Sequence, residues 1–224
     1  MEFVRGTAKD VPEPKGSGEY RYVSERPELP VVGLIGPTNL VRISAASGIP
    51  LKVYQDAATE AGKRIAEAGA AIALVPDRGV ALHGLSGYRA AGGRWVIGLL
   101  PEGGPSDAEA TANCVENASD CHEIIRGFTW HHQHANICLL SDLFVCVGLS
   151  CGTLAEIVWT KWTKRPRVLA IKDTFTAIPV EILAETDVVT VGLDDLGTVL
   201  ACALPTPGVA RQPAALVSTA ARNG

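Results

Sequence analysis

The residues best placed to do chemistry lie in one run, Gly148-Leu149-Ser150-Cys151-Gly152-Thr153-Leu154-Ala155-Glu156. An apolar stretch, Leu143 to Val147, precedes it and reads as a buried strand. The run itself is a small-residue turn leading into a helix. Thr153 with Glu156 three residues later has the spacing of a capping box and predicts a helix that opens at Thr153. A helix N-terminus directly after a Gly/Ser turn offers unpaired backbone N–H groups and the positive end of a dipole, which suits an anion, most often phosphate. Ser150 and Thr153 add hydroxyl donors, and Gly148 and Gly152 let a ligand come close to the backbone. Cys151 reads either as a nucleophile or as a small residue that the turn requires. Glu156 reads as a general base, as an acceptor for a ribose hydroxyl, or as a cap alone. The plain alternative for the whole run is an ordinary strand-to-helix turn.

Four of the five histidines lie at His122, His131, His132 and His134. On a helix, His131 and His134 share a face and could grip a metal or an anion. No second motif with metal-ligand spacing accompanies them, so ligand binding, not a metal site, is the expectation. Arg78 and Gly79 follow an apolar stretch at Ala70 to Val75, and Gly36 and Thr38 follow another at Pro30 to Ile35. Arg78 could pair with a phosphate as a fork-shaped donor, or with Asp77 or Glu156.

These groups need elements to hold them. The 224 residues suffice for one α/β domain with a substantial core. The formal net charge is -4 with no basic patch, so a nucleic-acid duplex is not expected as a partner. No apolar run reaches the roughly 18 residues that span a bilayer, and the N-terminal residues carry no apolar signal core. Six cysteines without a CxxC pair fit reduced thiols, and a cytoplasmic location is the expectation. Residues 1–28, rich in Pro, Gly and charge, read as a flexible lead-in; residues 29–204 read as the folded domain; residues 205–224 read as a loosely ordered tail with a short helix near Ala214 to Ala221.

Within the domain, strands are predicted at Pro30–Ile35, Ala70–Val75, Arg94–Leu100, Leu143–Val147, Arg167–Ile171 and Val188–Val191. Helices are predicted at Leu51–Ala68, Val80–Ala91, Thr153–Thr163 and Asp194–Ala203, with one ending at Asn136–Leu140. Glu102 to Glu123 reads as loop with some helix. This alternation predicts a doubly wound, mostly parallel sheet with helices on both faces. Ligands in such sheets sit at the carboxyl ends of the strands near a switch in strand order. That crevice would gather Gly36, Thr38, Asn39, Asp77, Arg78, Gly79, Ser150, Gly152, Thr153 and Glu156.

Gly148 to Glu156 resembles the PGGxGTxxE motif of the "lonely guy" (LOG) phosphoribohydrolases, a Rossmann-like superfamily that also includes DNA-processing proteins and molybdenum-cofactor carriers. Ala90 to Pro101 resembles that family's GGxVIGVIP strand. Leu140-Ser141-Asp142 resembles its entry to the motif strand, Lys161 to Ile171 its segment ending in GKPV, and Tyr54 to Gly69 its first helix. The resemblance implies that Glu156 is the motif carboxylate. It also places the family's MHERK-like run on Trp130-His131-His132-Gln133-His134, with His131 on the family His and Gln133 where the catalytic Arg belongs. Leu149 replaces a motif glycine.

The expectation is therefore a protein that binds a small phosphorylated, nucleotide-like ligand at 148–156, as a carrier or sensor, with a pterin of the molybdopterin kind as one example. No cofactor is required for this. The alternatives are an N-glycosidic phosphoribohydrolase that acts on a nucleoside 5'-monophosphate through Glu156, and a non-catalytic assembly protein. Trp159 and Trp162, one helical turn apart where family members make a dimer contact, imply a homo-oligomer, dimer or higher.

Overall fold

The apolar runs stopped by Gly and Pro become strands of a single sheet. The computed structural model describes residues 5–6, 28–103, 108–164 and 166–205. The lead-in and the tail, with its short helix at 214–221, lie almost wholly outside the described residues. In chain order the elements are β1 (Arg5–Gly6), β2 (Val31–Ile35), α1 (Leu40–Ser47), α2 (Leu51–Glu67), β3 (Ala71–Leu74), α3 (Val80–Ala90), β4 (Val96–Leu99) and α4 (Ala108–Glu116). A 3-10 turn (Asn117–Asp120) leads to β5 (Glu123–Ile125), α5 (Trp130–Leu140), β6 (Leu143–Cys146), α6 (Cys151–Thr163), β7 (Arg167–Ile171), α7 (Val180–Glu185), β8 (Val188–Val191) and α8 (Leu196–Ala203).

The strand order is β1-β5-β4-β3-β2-β6-β7-β8. All neighbouring pairs are parallel except β1 with β5 at the edge. Side chains alternate between the faces, as a pleated sheet requires. Val32, Leu34, Ile72 and Leu74 meet α2, α3 and α8 on one side. Val31, Ile35, Ala71 and Ala73 meet α5 and α6 on the other. This is the doubly wound, Rossmann-like sheet that the alternation predicts. From β2 the chain moves outward through β3, β4 and β5; from β6 it moves the other way through β7 and β8. The reversal falls between β2 and β6, which pair from Val32–Leu143 to Ile35–Cys146.

Two differences from the sequence reading bear on the site. Helix α6 opens at Cys151, not Thr153, because Ser150 is the N-cap: its Oγ accepts from the Thr153 N–H at 3.2 Å. Ser and Thr three residues apart both satisfy a cap pattern, and the upstream one wins. Helix α5 ends at Leu140, as the sequence reading has it, and begins at Trp130, a start that reading left open; α1, α7 and β5 are elements it does not contain. No described helix is long and apolar enough to cross a membrane.

Candidate ligand-binding site

Three loops at the carboxyl ends of β2, β3 and β6 are pressed together. Gly36 allows it on the β2 side: a Cβ there would sit 2.5 Å from the Val147 carbonyl oxygen and 2.7 Å from the Val80 side chain. Gly79, with φ of 66°, lets the β3 loop pass beneath Pro37 and Thr38, and the Val80 N–H donates to the Pro37 carbonyl at 3.1 Å. The N-termini of α1, α3 and α6 therefore converge on one cavity of about 530 Å³ at the switch point. Asn39 caps α1 by accepting from the Arg42 N–H at 3.0 Å. Ser150 caps α6, and its hydroxyl also shares a 2.9 Å hydrogen bond with Thr153 Oγ1. The first N–H groups of a helix have no carbonyl four residues back, so those of Cys151 and Gly152 remain for a ligand. A Cβ on Gly152 would find its nearest neighbour, His134 Cε1, 3.7 Å away, so the missing side chain leaves this turn uncovered.

Of the residues singled out in the sequence, Gly36, Thr38, Asn39, Asp77, Arg78, Ser150, Cys151, Gly152, Thr153 and Glu156 line the cavity. Gly79 and Gly148 lie behind them and shape the loops. Gly148 has φ of 76°, and its N–H donates to Thr174 Oγ1 at 2.9 Å, so this N–H is spent inside the protein. A Cβ there would lie 2.7 Å from the Tyr54 ring. Thr174, fully buried, passes its own hydrogen to the Ile171 carbonyl at 2.7 Å. Arg78 Nη1 pairs with Glu109 at 2.8 Å, and its Nε lies 3.7 Å from Asp77. Both partners are acidic, and the Glu109 pair is exposed and hence weak.

The histidines divide. His131 is exposed, and neither it nor His134 lines the cavity. His132 Nδ1 bonds Thr129 Oγ1 at 3.2 Å. His134 lies half-buried against α6, its Nδ1 3.7 Å from Glu156 Oε1. Among the described residues no group of three or more His, Cys, Asp or Glu is arranged to hold a metal ion. His122 is far along the sheet: its Nδ1 accepts from the Val96 N–H at 3.1 Å, its ring stacks on Trp95, and burial lowers its pKa. Cys114, Cys121, Cys138 and Cys146 are buried core thiols; burial pushes Cys114 and Cys121 up to about 12 and the other two up as well. Cys151 and Cys202 are exposed.

The floor of the cavity holds the most distinctive contact. Gln133, 4% exposed, donates from Nε2 to Glu156 Oε1 at 2.6 Å. Glu156 is 7% exposed and reaches the cavity from the second turn of α6. Gln133, Arg42 and Trp130 all line the cavity, and sequence reasoning missed them as ligand-facing groups. Arg42 follows the unread cap at Asn39; Trp130 reads as packing; Gln133 reads only as a lost Arg.

The sequence profile of the SLOG cluster4 family matches residues 30–194. The chain belongs to the SLOG cluster4 family. No curated protein matches it in sequence. Among solved structures it is similar to the Moco carrier protein of Chlamydomonas reinhardtii, at 24% identity and a TM-score of 0.55, covering 78% of this chain and 95% of that one. It is also similar to the molybdenum cofactor binding protein of Rippkaea orientalis, at 20% identity and a TM-score of 0.57, covering 80% and 98%. DNA processing protein A from Helicobacter pylori, described as binding single-stranded DNA, matches at 13% identity and a TM-score of 0.51, covering 78% and 81%. These likenesses establish a shared fold.

Proposed function

We propose that this SLOG protein binds a small phosphorylated, nucleotide-like ligand at its 148–156 loop and holds it without turnover, as a carrier or sensor. The observation that carries this reading is the Gln133–Glu156 hydrogen bond. The LOG resemblance puts a catalytic Arg at the position of Gln133. A neutral amide brings no positive charge to a developing anion, and this one spends an N–H on the carboxylate that a hydrolase would keep for its substrate. Three helix N-termini around one cavity supply the attraction for phosphate.

A pterin with a phosphate tail fits the residues present. The α6 turn receives the phosphate, apolar walls receive the ring, and Glu156 accepts a hydrogen bond from an N–H or O–H of the ligand. The Moco carrier and Moco binding proteins of the same fold support this form of the reading. The net charge of -4 disfavours single-stranded DNA as the ligand. We further propose a homo-oligomer built on α6, where Val158, Trp159 and Trp162 are 38%, 39% and 66% exposed.

Native mass spectrometry of the purified protein, before and after incubation with AMP, GMP, CMP and UMP, tests both proposals. Retained, uncleaved ligand is the expected result, on a species of at least dimer mass. Release of free base with ribose 5-phosphate overturns the carrier reading in favour of the hydrolase, and no retained ligand of any kind leaves the assembly protein.

A further inference from the structure

Trp130 opens α5 and is half-buried, with its ring against the edge of the main core and a surface on the cavity. Its indole Nε1 donates to Thr111 Oγ1 on α4 at 3.0 Å. The one polar edge of the ring is thereby turned towards α4, so what the side chain offers the cavity is carbon. Ile43, Val75, Ala81 and Ala110 extend that apolar surface. Polar groups line the cavity from several segments: Ser150, Thr153 and Glu156 at the α6 turn, Arg42 on α1, and Asp77 and Arg78 after β3. The cavity thus offers a ligand both a held indole and, at the α6 turn, backbone N–H groups that attract an anion. A sugar phosphate alone would use the N–H groups and leave the indole without a partner.

We infer that Trp130 is the ring-recognising wall of this cavity, stacking on a planar heteroaromatic ring whose attached phosphate sits at the α6 turn. The inference rests on the ligand-binding reading above and names the class of ligand. An indole fixed by its N–H offers a flat face at little entropic cost, and stacking of a base on such a face tightens binding roughly tenfold or more. The other three tryptophans are not part of the cavity lining. Trp95 stacks on His122 at the amino end of β4, and Trp159 and Trp162 lie on the outer side of α6.

The test compares GMP, whose guanine shares the 2-amino-4-oxo edge of a pterin, with ribose 5-phosphate. Calorimetry measures affinity and tryptophan emission measures contact. The wild-type protein is expected to bind GMP at least tenfold more tightly, and only GMP is expected to change the emission. Trp130→Leu should bind the two probes about equally and lose the emission change, while Trp130→Phe should keep most of the preference for GMP. A Trp130→Leu protein that still prefers GMP overturns the inference but leaves the phosphate reading standing. If that variant does not fold, equal affinity of the wild-type protein for the two probes overturns it instead. Failure of the wild-type protein to bind either probe overturns both.

Discussion

Two helix pairs flank the sheet, and they are built on opposite principles. Helices α2 and α3 meet through glycine: a Cβ on Gly62 would strike the Gly84 carbonyl, and one on Gly87 would strike the Thr59 carbonyl. Buried Ala58 and Ala61 accompany them. Helices α5 and α6 meet through polar groups. Gln133 donates to Glu156, the Cys138 thiol donates to the Glu156 carbonyl at 3.3 Å, and Thr160 is buried beside them. Buried polar groups add little net stability and are costly when unpaired, whereas close backbone packing contributes stability and no chemistry. The first pair is the scaffold. The second carries Trp130, Gln133 and Glu156, which line the cavity.

Gly62→Val breaks the scaffold side and carries the largest expected effect. The added side chain meets backbone that cannot rotate away, so overpacking should cost about 3 kcal/mol and lower Tm by roughly 6–12 °C. Calorimetric melting measures this. A Tm within 2 °C of wild type would mean that the pair is looser than its geometry.

Glu156→Gln breaks the chemical side while keeping volume. Its amide oxygen can still accept from Gln133, so Tm should stay within about 2 °C. Loss of the charged acceptor should weaken GMP binding by roughly 10–150-fold, the worth of a hydrogen bond to a charged group. A large fall in Tm with unchanged affinity would move Glu156 to the scaffold.

The two sides were also unequally legible. Strands β2, β3, β6 and β7 are apolar runs with Gly or Pro beside them, and residue type alone places them. Strand β5 is three residues long and begins with the buried Glu123, so neither length nor apolarity marks it. The polar start of α5, Trp130 to His134, hides its helix, because its inward residue is a glutamine that needs Glu156 to be buried at all. The 148–156 loop is readable because its glycines, hydroxyls and carboxylate lie close in sequence. Arg42, Trp130 and Gln133 reach the same cavity from other segments, and only the strand order brings them there.

Thr174→Val sharpens the contrast by acting behind the loop. It removes the acceptor of the Gly148 N–H without touching the cavity lining. Stability should fall by about 1–3 kcal/mol for a buried donor left unpaired. GMP affinity should fall as well, since the turn at Gly148 loses its tether, and Thr174→Ser should restore both. Equal affinity in the Val and Ser variants would show that the loop keeps its shape unaided.

Ser150→Ala carries the smallest effect and bears on where the chemical side begins. Loss of an N-cap hydroxyl costs about 1 kcal/mol, a shift of roughly 2–4 °C in Tm for a chain of this size. Helix α2, whose N-cap Pro50 makes no side-chain cap bond, shows that the scaffold side does without one. If Ser150 caps α6, the alanine variant melts lower, and the Thr153 N–H joins those of Cys151 and Gly152 as a free donor, so GMP affinity should change less than in Glu156→Gln. A capping box centred on Thr153 predicts the reverse: Ser150→Ala would melt with wild type, and the cost would appear in Thr153→Ala.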